Sequence, residues 1–302
     1  MKVKSQEIEI SHAGKLLFPQ AGISKADLAE YYLRIAETML PYLQDRPISM
    51  QRFPDGIDGQ GFYHKEVPDY FPDWIETVQV EVKEEGGKQR QVVVNQAATQ
   101  VFLADQACIT PHAWLSRADK LDFPDRLIFD LDPPGDDFTE VRFAAKALNE
   151  ILREVGLVPY VMTTGSKGAH VVVPLDRQED FDTVRAFGSD LCAVLASRYP
   201  ERLTTETRKD QRKGRLFLDY LRNAFAQTAV PPYAVRPLPG APLAAPLDWD
   251  ELDDPELDSQ SYSIKNIFRR LGQKDDPWKG MQRHARSLSK PLQELEQLAA
   301  EG

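Results

Sequence analysis

The stretch Arg126-Leu-Ile-Phe-Asp130-Leu-Asp132 places two acids within a run of apolar residues, and it decides the fold of the surrounding region. Alternate residues of a β-strand point to opposite faces of the sheet. One face is therefore apolar and is expected under helices, while the opposite face carries both acids. The apolar face consists of Leu127, Phe129 and Leu131.

After this strand, segments with apolar residues at the period of a strand alternate with segments at the period of a helix. A helix is predicted at 139–156, with Thr139 as its cap and Gly156 at its end. The order is β-α-β-β-α-β, the ferredoxin-like unit of RNA-recognition modules and polymerase palms. The remaining predicted elements are strands at 158–164, 169–175 and 215–221, and a helix at 181–199.

In that topology the first strand lies between the third and the fourth, antiparallel to both. With Leu218 and Tyr220 facing inward, Asp219 on the fourth strand is expected beside Asp130 and Asp132. Three clustered carboxylates repel one another unless a cation neutralises them, and oxygen ligands favour Mg²⁺ or Mn²⁺. Two such ions would suit nucleotidyl transfer. The alternative is a chance group of surface acids.

The turn between the second and third strands reads Thr163-Thr164-Gly165-Ser166-Lys167-Gly168-Ala169-His170. It lacks the Walker A order, yet its glycines, hydroxyls, Lys167 and His170 suit a triphosphate. A plain β-turn is the alternative. Just before the fourth strand, residues 208–215 contain five bases, which suit triphosphate or primer backbone unless they form only a solvated loop.

The amino-terminal part is predicted as a second module. Ser24 followed by Asp27 predicts a helix start, and apolar residues recur behind it at helical spacing: Leu28, Tyr31, Tyr32, Ile35, Met39 and Leu43. Strand-like runs follow at 47–53 and on both sides of a polar hairpin tip at 83–90. Near the carboxyl end, 248–258 holds seven acids and is expected as a solvated linker, and 265–290 is basic.

Composition narrows the class of protein. The chain has 302 residues, with 37 Lys and Arg against 47 Asp and Glu, so bulk attraction to nucleic acid is excluded and a local basic patch is needed. The lone Cys108 and Cys192 support neither a disulfide framework nor a structural zinc site. With no signal peptide and no long apolar run, the expected location is the cytoplasm, in association with the nucleoid, and no membrane partner is expected.

Several motifs together resemble the polymerase domain of bacterial ligase D, within the archaeo-eukaryotic primase superfamily, over roughly residues 14–281. They are Lys15-Leu-Leu-Phe-Pro, Arg52-Phe-Pro-Asp-Gly, Phe62-Tyr63-His64-Lys65, Thr110-Pro-His112-Ala-Trp114, Asp130-Leu-Asp132-Pro-Pro, Gly165-Ser-Lys167-Gly-Ala-His170 and Phe217-Leu-Asp219-Tyr.

The resemblance implies a role for each matching position. Asp130, Asp132 and Asp219 would be catalytic metal ligands for two Mn²⁺ or Mg²⁺ ions. The triphosphate would contact Thr164, Ser166, Lys167, His170, Arg212 and Arg222, and His112 would lie near the sugar 2′-OH. Lys15 and Lys25 would hold a 5′-phosphate, with His12 where relatives commonly carry Asn. The template would contact Phe62, Tyr63, Arg52 and Lys65, and the 83–90 hairpin would help to hold two DNA ends.

The implied fold is mixed α/β, the primase-polymerase fold, with the amino-terminal α/β module (1–125) facing the RRM-like palm (126–245) across a cleft. Residues 246–302 are expected to pack on this catalytic domain. The implied function is template-dependent extension of a 3′-OH with NTPs or dNTPs at 5′-phosphorylated gaps or broken DNA ends, in non-homologous end joining. Ku is a candidate partner in end joining. A DNA ligase is a second candidate, because no Lys-x-Asp-Gly ligase motif occurs in this sequence.

Three alternatives remain open at this point. The first is a primase that starts chains de novo in replication or damage tolerance, and the second is a non-catalytic module that bridges DNA ends. The third is a metal-dependent nucleotide cyclase, which would leave the lysine pocket without a role.

Overall fold

A computed structural model describes residues 1–4, 6–81, 86–135 and 137–301. The α-helices are α1 (Lys25–Leu43), α2 (Ala97–Asp105), α3 (Phe138–Glu154), α4 (Phe181–Arg198), α5 (Ile267–Gln273) and α6 (Ser289–Glu301). Short 3₁₀ helices cover Pro19–Ala21, Lys209–Gln211, Trp249–Asp253 and Met281–His284. Within these described ranges, none of the helices is long and apolar enough to cross a membrane.

The strands are numbered in chain order. They are β1 (Lys2–Val3), β2 (Gln6–Glu7), β3 (Leu16–Phe18), β4 (Ile23–Ser24), β5 (Pro47–Arg52), β6 (Phe62–His64), β7 (Thr77–Glu81), β8 (Lys88–Val93), β9 (Cys108–Trp114), β10 (Ser116–Arg117), β11 (Lys120–Pro124), β12 (Arg126–Asp132), β13 (Tyr160–Thr163), β14 (Ala169–Pro174), β15 (Leu203–Thr204), β16 (Leu216–Asp219), β17 (Thr228–Ala229) and β18 (Pro246–Leu247).

The chain forms two compact units. Unit 1 consists of Met1–Asp119, Thr228–Ala244 and Tyr262–Gly272, and unit 2 consists of Lys120–Gln227, Ala245–Ser261 and Gln273–Gly302. The chain therefore returns to unit 1 twice after it has entered unit 2.

Unit 1 is built around a sheet with the order β17-β9-β5-β8-β7, with β6 paired to β5. Helix α1 begins as predicted, because Ser24 and Asp27 form a reciprocal capping box. All six apolar residues predicted for its inner face are buried. The strands flanking the predicted hairpin pair antiparallel, with Glu81 opposite Lys88, so 88–90 of the predicted tip belong to β8 instead. Residues 83–85 of the tip lie outside the described residues.

Unit 2 contains the predicted β-α-β-β-α-β unit. Its sheet order is β15-β16-β12-β14-β13-β18, so β12 lies between β14 and β16 and is antiparallel to both, which confirms the predicted topology. Helix α4 packs on the apolar face, where a Cβ at Gly188 would lie 3.3 Å from Leu127 and 3.4 Å from Tyr220. This contact confirms which face of the sheet the helices cover.

Two local predictions for unit 2 are corrected by the structure. Helix α3 is capped by Asp137, whose carboxylate accepts a hydrogen bond from the Thr139 amide, so Thr139 is not the cap. The acidic segment 248–258 is not a free solvated linker. Leu252 is buried within it, and Arg142 donates to the carbonyl oxygens of Pro255 and Leu257.

Candidate functional site

The acidic site in unit 2 lies on the sheet face opposite the helices. Asp130 on β12 is the register partner of His170 on β14 and of Asp219 on β16. Directly opposed residues of antiparallel strands point to the same face, so these three side chains form a row across the sheet. Asp132 lies two residues further along β12, on the same face. The predicted placement of Asp219 beside Asp130 is therefore confirmed.

Asp130 is the electrostatic centre of this row. Its Oδ2 accepts a 3.0 Å hydrogen bond from Nε of Arg222, and its Oδ1 lies 3.4 Å from Nε2 of His170. Burial alone would raise the pKa of this carboxyl, but the contacts with His170 and Arg222 outweigh burial and hold it well below its usual range. Asp130 is therefore ionised throughout the neutral pH range.

The two neighbouring carboxyls are shifted in the opposite direction. Removal from water, followed by the negative charge of Asp130, raises the pKa of Asp132. Burial and the charge of Asp130 also raise the pKa of Asp219, although Arg212 and a 2.8 Å hydrogen bond from the Leu221 amide oppose the shift. Burial and the charge of Asp130 thus disfavour the ionised forms of both neighbours, which is the condition that a bound cation relieves.

The donor chemistry fits a hard divalent ion, since the acidic side chains supply only carboxylate oxygens. Their present directions do not complete a metal site: across the part of the chain described, no group of three His, Cys, Asp or Glu side chains is arranged to hold a metal ion. Both oxygens of Asp130 face His170 and Arg222. The carboxylates would therefore have to turn toward an ion.

The glycine turn lies against the end of β12. A Cβ at Gly168 would come within 1.8 Å of the Leu131 carbonyl oxygen and 3.0 Å of Oδ1 of Asp132, so only glycine allows this approach. Inside the turn, Oγ1 of Thr164 donates to the Gly168 carbonyl and accepts from the amides of Ser166 and Gly168. Thr164 is buried, and its hydroxyl holds the backbone of the turn together.

The other predicted nucleotide contacts in unit 2 differ in exposure. Lys167 is exposed at the tip of the turn, whereas His170 is buried, and Nδ1 of His170 has no hydrogen-bond partner among the described residues. Arg212 lies with its guanidinium 4.1 Å above the Phe217 ring and donates to the carbonyl oxygens of Glu206 and Thr207. The predicted basic loop therefore has at least one arginine fixed in place.

Lysines in unit 1 that were predicted to hold a 5′-phosphate lie next to each other at the start of α1. The Lys25 amide donates to the Lys15 carbonyl at 2.8 Å. The Lys25 ammonium is buried, 3.0 Å from Oγ of Ser11 and 3.5 Å from Oδ1 of Asp105. Lys15 is more exposed and forms an ion pair with Asp55. His12 is also exposed and lies in the turn that leads to Lys15.

Two of the four predicted template residues, Phe62 and Tyr63, occupy strand β6 of the same unit, which pairs with β5 where Arg52 lies. Phe62 and Tyr63 are 44% and 57% exposed, which is unusual for large apolar side chains and leaves their rings available for stacking. Arg52 lies 5.7 Å from the Phe62 ring and also contacts Nδ1 of His64 at 3.1 Å. Burial, and then the charge of Arg52, lower the pKa of His64, so its neutral ring can accept that bond.

Two predicted residues near this strand differ from each other. His112 on β9 is buried, with Nε2 3.2 Å from Oε1 of Gln51 and its ring edge against Tyr63. Lys65 is exposed. His112 and Tyr63 thus contact each other, while Lys65 follows β6 on the surface of unit 1.

Sequence reasoning gave no role to several residues that support these sites. Ser259 and Gln260 both donate to the Ser166 carbonyl, at 2.6 and 2.9 Å, and so hold the glycine turn from a distant segment of unit 2. Asp105 does the same for Lys25. Among these supporting residues, Asp55 could have been recognised from the sequence, because it lies within the Arg52-Phe-Pro-Asp-Gly motif.

Comparisons with known proteins identify the family of the chain. A family model described as the LigD primase-polymerase domain matches residues 24–278. The multifunctional non-homologous end joining protein LigD of Pseudomonas aeruginosa is 33% identical over 274 residues, covering 90% of this chain and 32% of the relative. The corresponding DNA repair protein of Mycobacterium tuberculosis is 30% identical over 280 residues, covering 90% of this chain and 36% of the relative. The chain spans about a third of the length of these two curated relatives.

A solved structure extends the similarity to the fold. The polymerase domain from Mycobacterium tuberculosis ligase D, in complex with DNA, has a TM-score of 0.86 and 28% sequence identity, and the match covers 93% of this chain and 100% of that chain. The mixed α/β fold class expected from the sequence is confirmed. With the family model covering most of its length, this chain belongs to the LigD primase-polymerase domain family.

Proposed function

We propose that this chain is a template-dependent nucleotidyltransferase that extends a 3′-OH with NTPs or dNTPs at 5′-phosphorylated gaps or broken DNA ends, in non-homologous end joining. The observation that carries the proposal is the row of carboxylates beside the Gly165–Gly168 turn, in a member of this family. Acids paired with a phosphate-binding turn are typical of phosphoryl transfer sites.

In this proposal Asp130, Asp132 and Asp219 hold Mn²⁺ or Mg²⁺. When bound, two such ions would activate the attacking hydroxyl and neutralise the triphosphate. Asp130 is kept ionised by its contacts with His170 and Arg222 and is the carboxylate best suited to share both ions. The substrate supplies the nucleophile, so no side chain needs to form a covalent intermediate.

The residues of the turn would bind and orient the triphosphate. The backbone of the turn approaches β12 closely because position 168 is glycine, and the exposed Lys167 would add positive charge there. Nδ1 of His170 is available to form a hydrogen bond with the triphosphate. A buried ring nitrogen without a partner carries a desolvation cost, and a bound ligand that pairs with it would remove this cost. Arg212 and Arg222 would add charge near the same carboxylates.

Unit 1 would bind the DNA. Lys15 and Lys25 lie at the amino terminus of α1, where the helix dipole also favours a phosphate. Phe62 and Tyr63 would stack on template bases, each contact being worth about 1–3 kcal/mol. Arg52 and Lys65 would contact the template strand, and His112 the ribose 2′-OH. Sealing by a ligase and recruitment by Ku belong to the same proposal, as does a cytoplasmic, nucleoid-associated location.

A primer-extension assay on gapped duplex tests this function. The substrate carries or lacks the 5′-phosphate, the nucleotides are NTPs or dNTPs, and the reactions contain Mn²⁺, Mg²⁺ or a chelator. Extension should follow the template, require a divalent ion and be faster on the phosphorylated gap. Asp219→Asn should abolish it, whereas Asp190→Asn, an exposed acid on α4, should not.

The same assay separates the alternatives. Primer synthesis on single-stranded template without a 3′-OH, far more efficient than gap filling, would contradict the proposal and identify a de novo primase. Binding of gapped DNA with no extension under either ion would identify an end-bridging module.

A further inference from the structure

Lys15, which the proposed function assigns to the 5′-phosphate pocket, forms an ion pair with Asp55. Nζ of Lys15 lies 2.8 Å from Oδ1 of Asp55, and the side chains are 40% and 81% exposed. An exposed carboxylate is a poor permanent partner for a lysine, because water competes for both groups. It is, however, a partner that an incoming phosphate can displace.

The position of Asp55 is imposed by the backbone. Residues 53–56 form a turn, closed by the Gly56 amide on the Phe53 carbonyl, and the next amide, of Ile57, donates to the Leu17 carbonyl at 2.9 Å. Gly56 has φ of +80°, and a Cβ there would lie 3.0 Å from the Leu16 carbonyl oxygen. The turn is thus docked on β3, and this places Asp55 against the lysine that precedes β3.

Lys25 is held in a different way. Its counter-ion, Asp105, is buried with it and also accepts hydrogen bonds from the amide and hydroxyl of Ser11. That carboxylate is tied into the interior of unit 1 and cannot move aside. Of the two lysines, Lys15 is therefore the one whose acidic partner can be exchanged for a ligand.

We propose that Asp55 is an internal competitor of the 5′-phosphate, which occupies Lys15 in the absence of DNA and lowers the affinity of the pocket. A phosphate dianion that reaches Lys15 must displace the carboxylate or lie beside it, and either process opposes binding. A 5′-hydroxyl end makes no such demand. Asp55 therefore weakens binding of phosphorylated ends selectively and speeds their release. This inference rests on the proposed role of Lys15.

The test measures dissociation constants for recessed duplex ends with and without a 5′-phosphate. Asp55→Asn should tighten binding of the phosphorylated end by about three- to tenfold and leave the hydroxyl end unchanged, and the gain should shrink as salt rises. Asp58→Asn is the matched control, since this exposed acid lies in the same loop and forms no ion pair with any described residue. A gain in affinity cannot arise from damage to the fold.

Lys15→Ala separates the two proposals. If this variant keeps the full preference for the phosphorylated end, the proposed pocket is wrong. If it loses the preference but Asp55→Asn behaves like Asp58→Asn, only the competitor role is overturned. Weaker binding by Asp55→Asn would also overturn it, because Asp55 would then orient Lys15 toward the phosphate.

Discussion

Asp130 and Asp219 face each other across β12 and β16, yet their ionisation is shifted in opposite directions. Asp130 has Arg222 and His170 as neighbours, whereas Asp219 has the negative charge of Asp130 beside it. Ionised Asp130 therefore stabilises the folded state at neutral pH. Ionised Asp219 destabilises it, because the folded environment disfavours its charged form. Neutralising these two acids by substitution should therefore change the free energy of unfolding in opposite directions.

Asp130→Asn should lower the free energy of unfolding by about 1–3 kcal/mol, because Arg222 and the buried His170 lose their carboxylate partner. Asp219→Asn should leave the melting temperature unchanged or raise it. The folded pKa of Asp130 is depressed, so its contribution is present above the unfolded pKa and is lost as pH falls through acid values. Thermal unfolding without divalent ions, in a pH series from 7 down to about pH 2, measures this, and equal losses in both variants would contradict it.

Gly168→Ala should displace the turn from β12, because its Cβ would overlap the Leu131 carbonyl. We expect a loss of about 1–3 kcal/mol in stability and a loss of nucleotide binding. Gly135→Ala is the matched control, since a Cβ there meets no described atom within 4 Å. Urea unfolding measures the stability, and titration with a non-hydrolysable nucleotide measures the binding. Normal stability in Gly168→Ala would contradict the close approach of Gly168 to the Leu131 carbonyl.

Lys25→Ala and Lys15→Ala should differ in stability but agree in DNA binding. Removal of Lys25 leaves Asp105 buried without its counter-ion, which should cost about 1–3 kcal/mol, whereas removal of Lys15 should change stability by less than about 0.5 kcal/mol. Both variants should bind a recessed 5′-phosphate more weakly and an unphosphorylated template normally. Equal loss on both DNAs would count against the pocket.

Phe62→Ala and Tyr63→Ala should weaken binding of a single-stranded template overhang by about 1–3 kcal/mol each, with melting temperatures unchanged, since both rings are exposed. Tyr63→Phe keeps the ring and should retain the affinity. Fluorescence anisotropy with an overhang duplex measures the change, and full affinity in both alanine variants would exclude these rings as the stacking surface.

Cys108 and Cys192 should resist alkylation in the folded protein. Burial raises the pKa of the Cys108 thiol from 9.0 to about 12, and burial also raises that of Cys192. The thiolate is the reactive form, so labelling at pH 8 should be slow until urea unfolds the chain. Because the unfolded thiols ionise first, stability should decline as pH rises above about 9. Rapid labelling of native protein by a thiol reagent would contradict this burial.

The central part of unit 2 could be predicted from sequence because two constraints act together. A period of two assigns each residue of 126–132 to a face, and the βαββαβ connection leaves a single place for the fourth strand. Asp219 therefore falls beside Asp130. The edge strands β15 and β18 have two residues each, which is too short for any period to be recognised.

The supporting contacts could not be predicted because they join distant parts of the chain. Asp105 lies 80 residues from Lys25, and Gln260 lies 94 residues from Ser166. No local pattern indicates such pairs. For the same reason the acidic charge of 248–258 suggested a solvated linker, although its buried Leu252 anchors it.

The order in which the chain visits its two units has a consequence for its synthesis. β9 lacks its edge partner β17 until residue 229 has left the ribosome, and the α5 segment of unit 1 follows only by residue 272. The central strands of unit 2, in contrast, are contiguous and complete at Asp219. Unit 1 is therefore expected to complete its sheet only after the central strands of unit 2 have been synthesised. A fragment ending at residue 125 would expose an unpaired strand edge that favours aggregation.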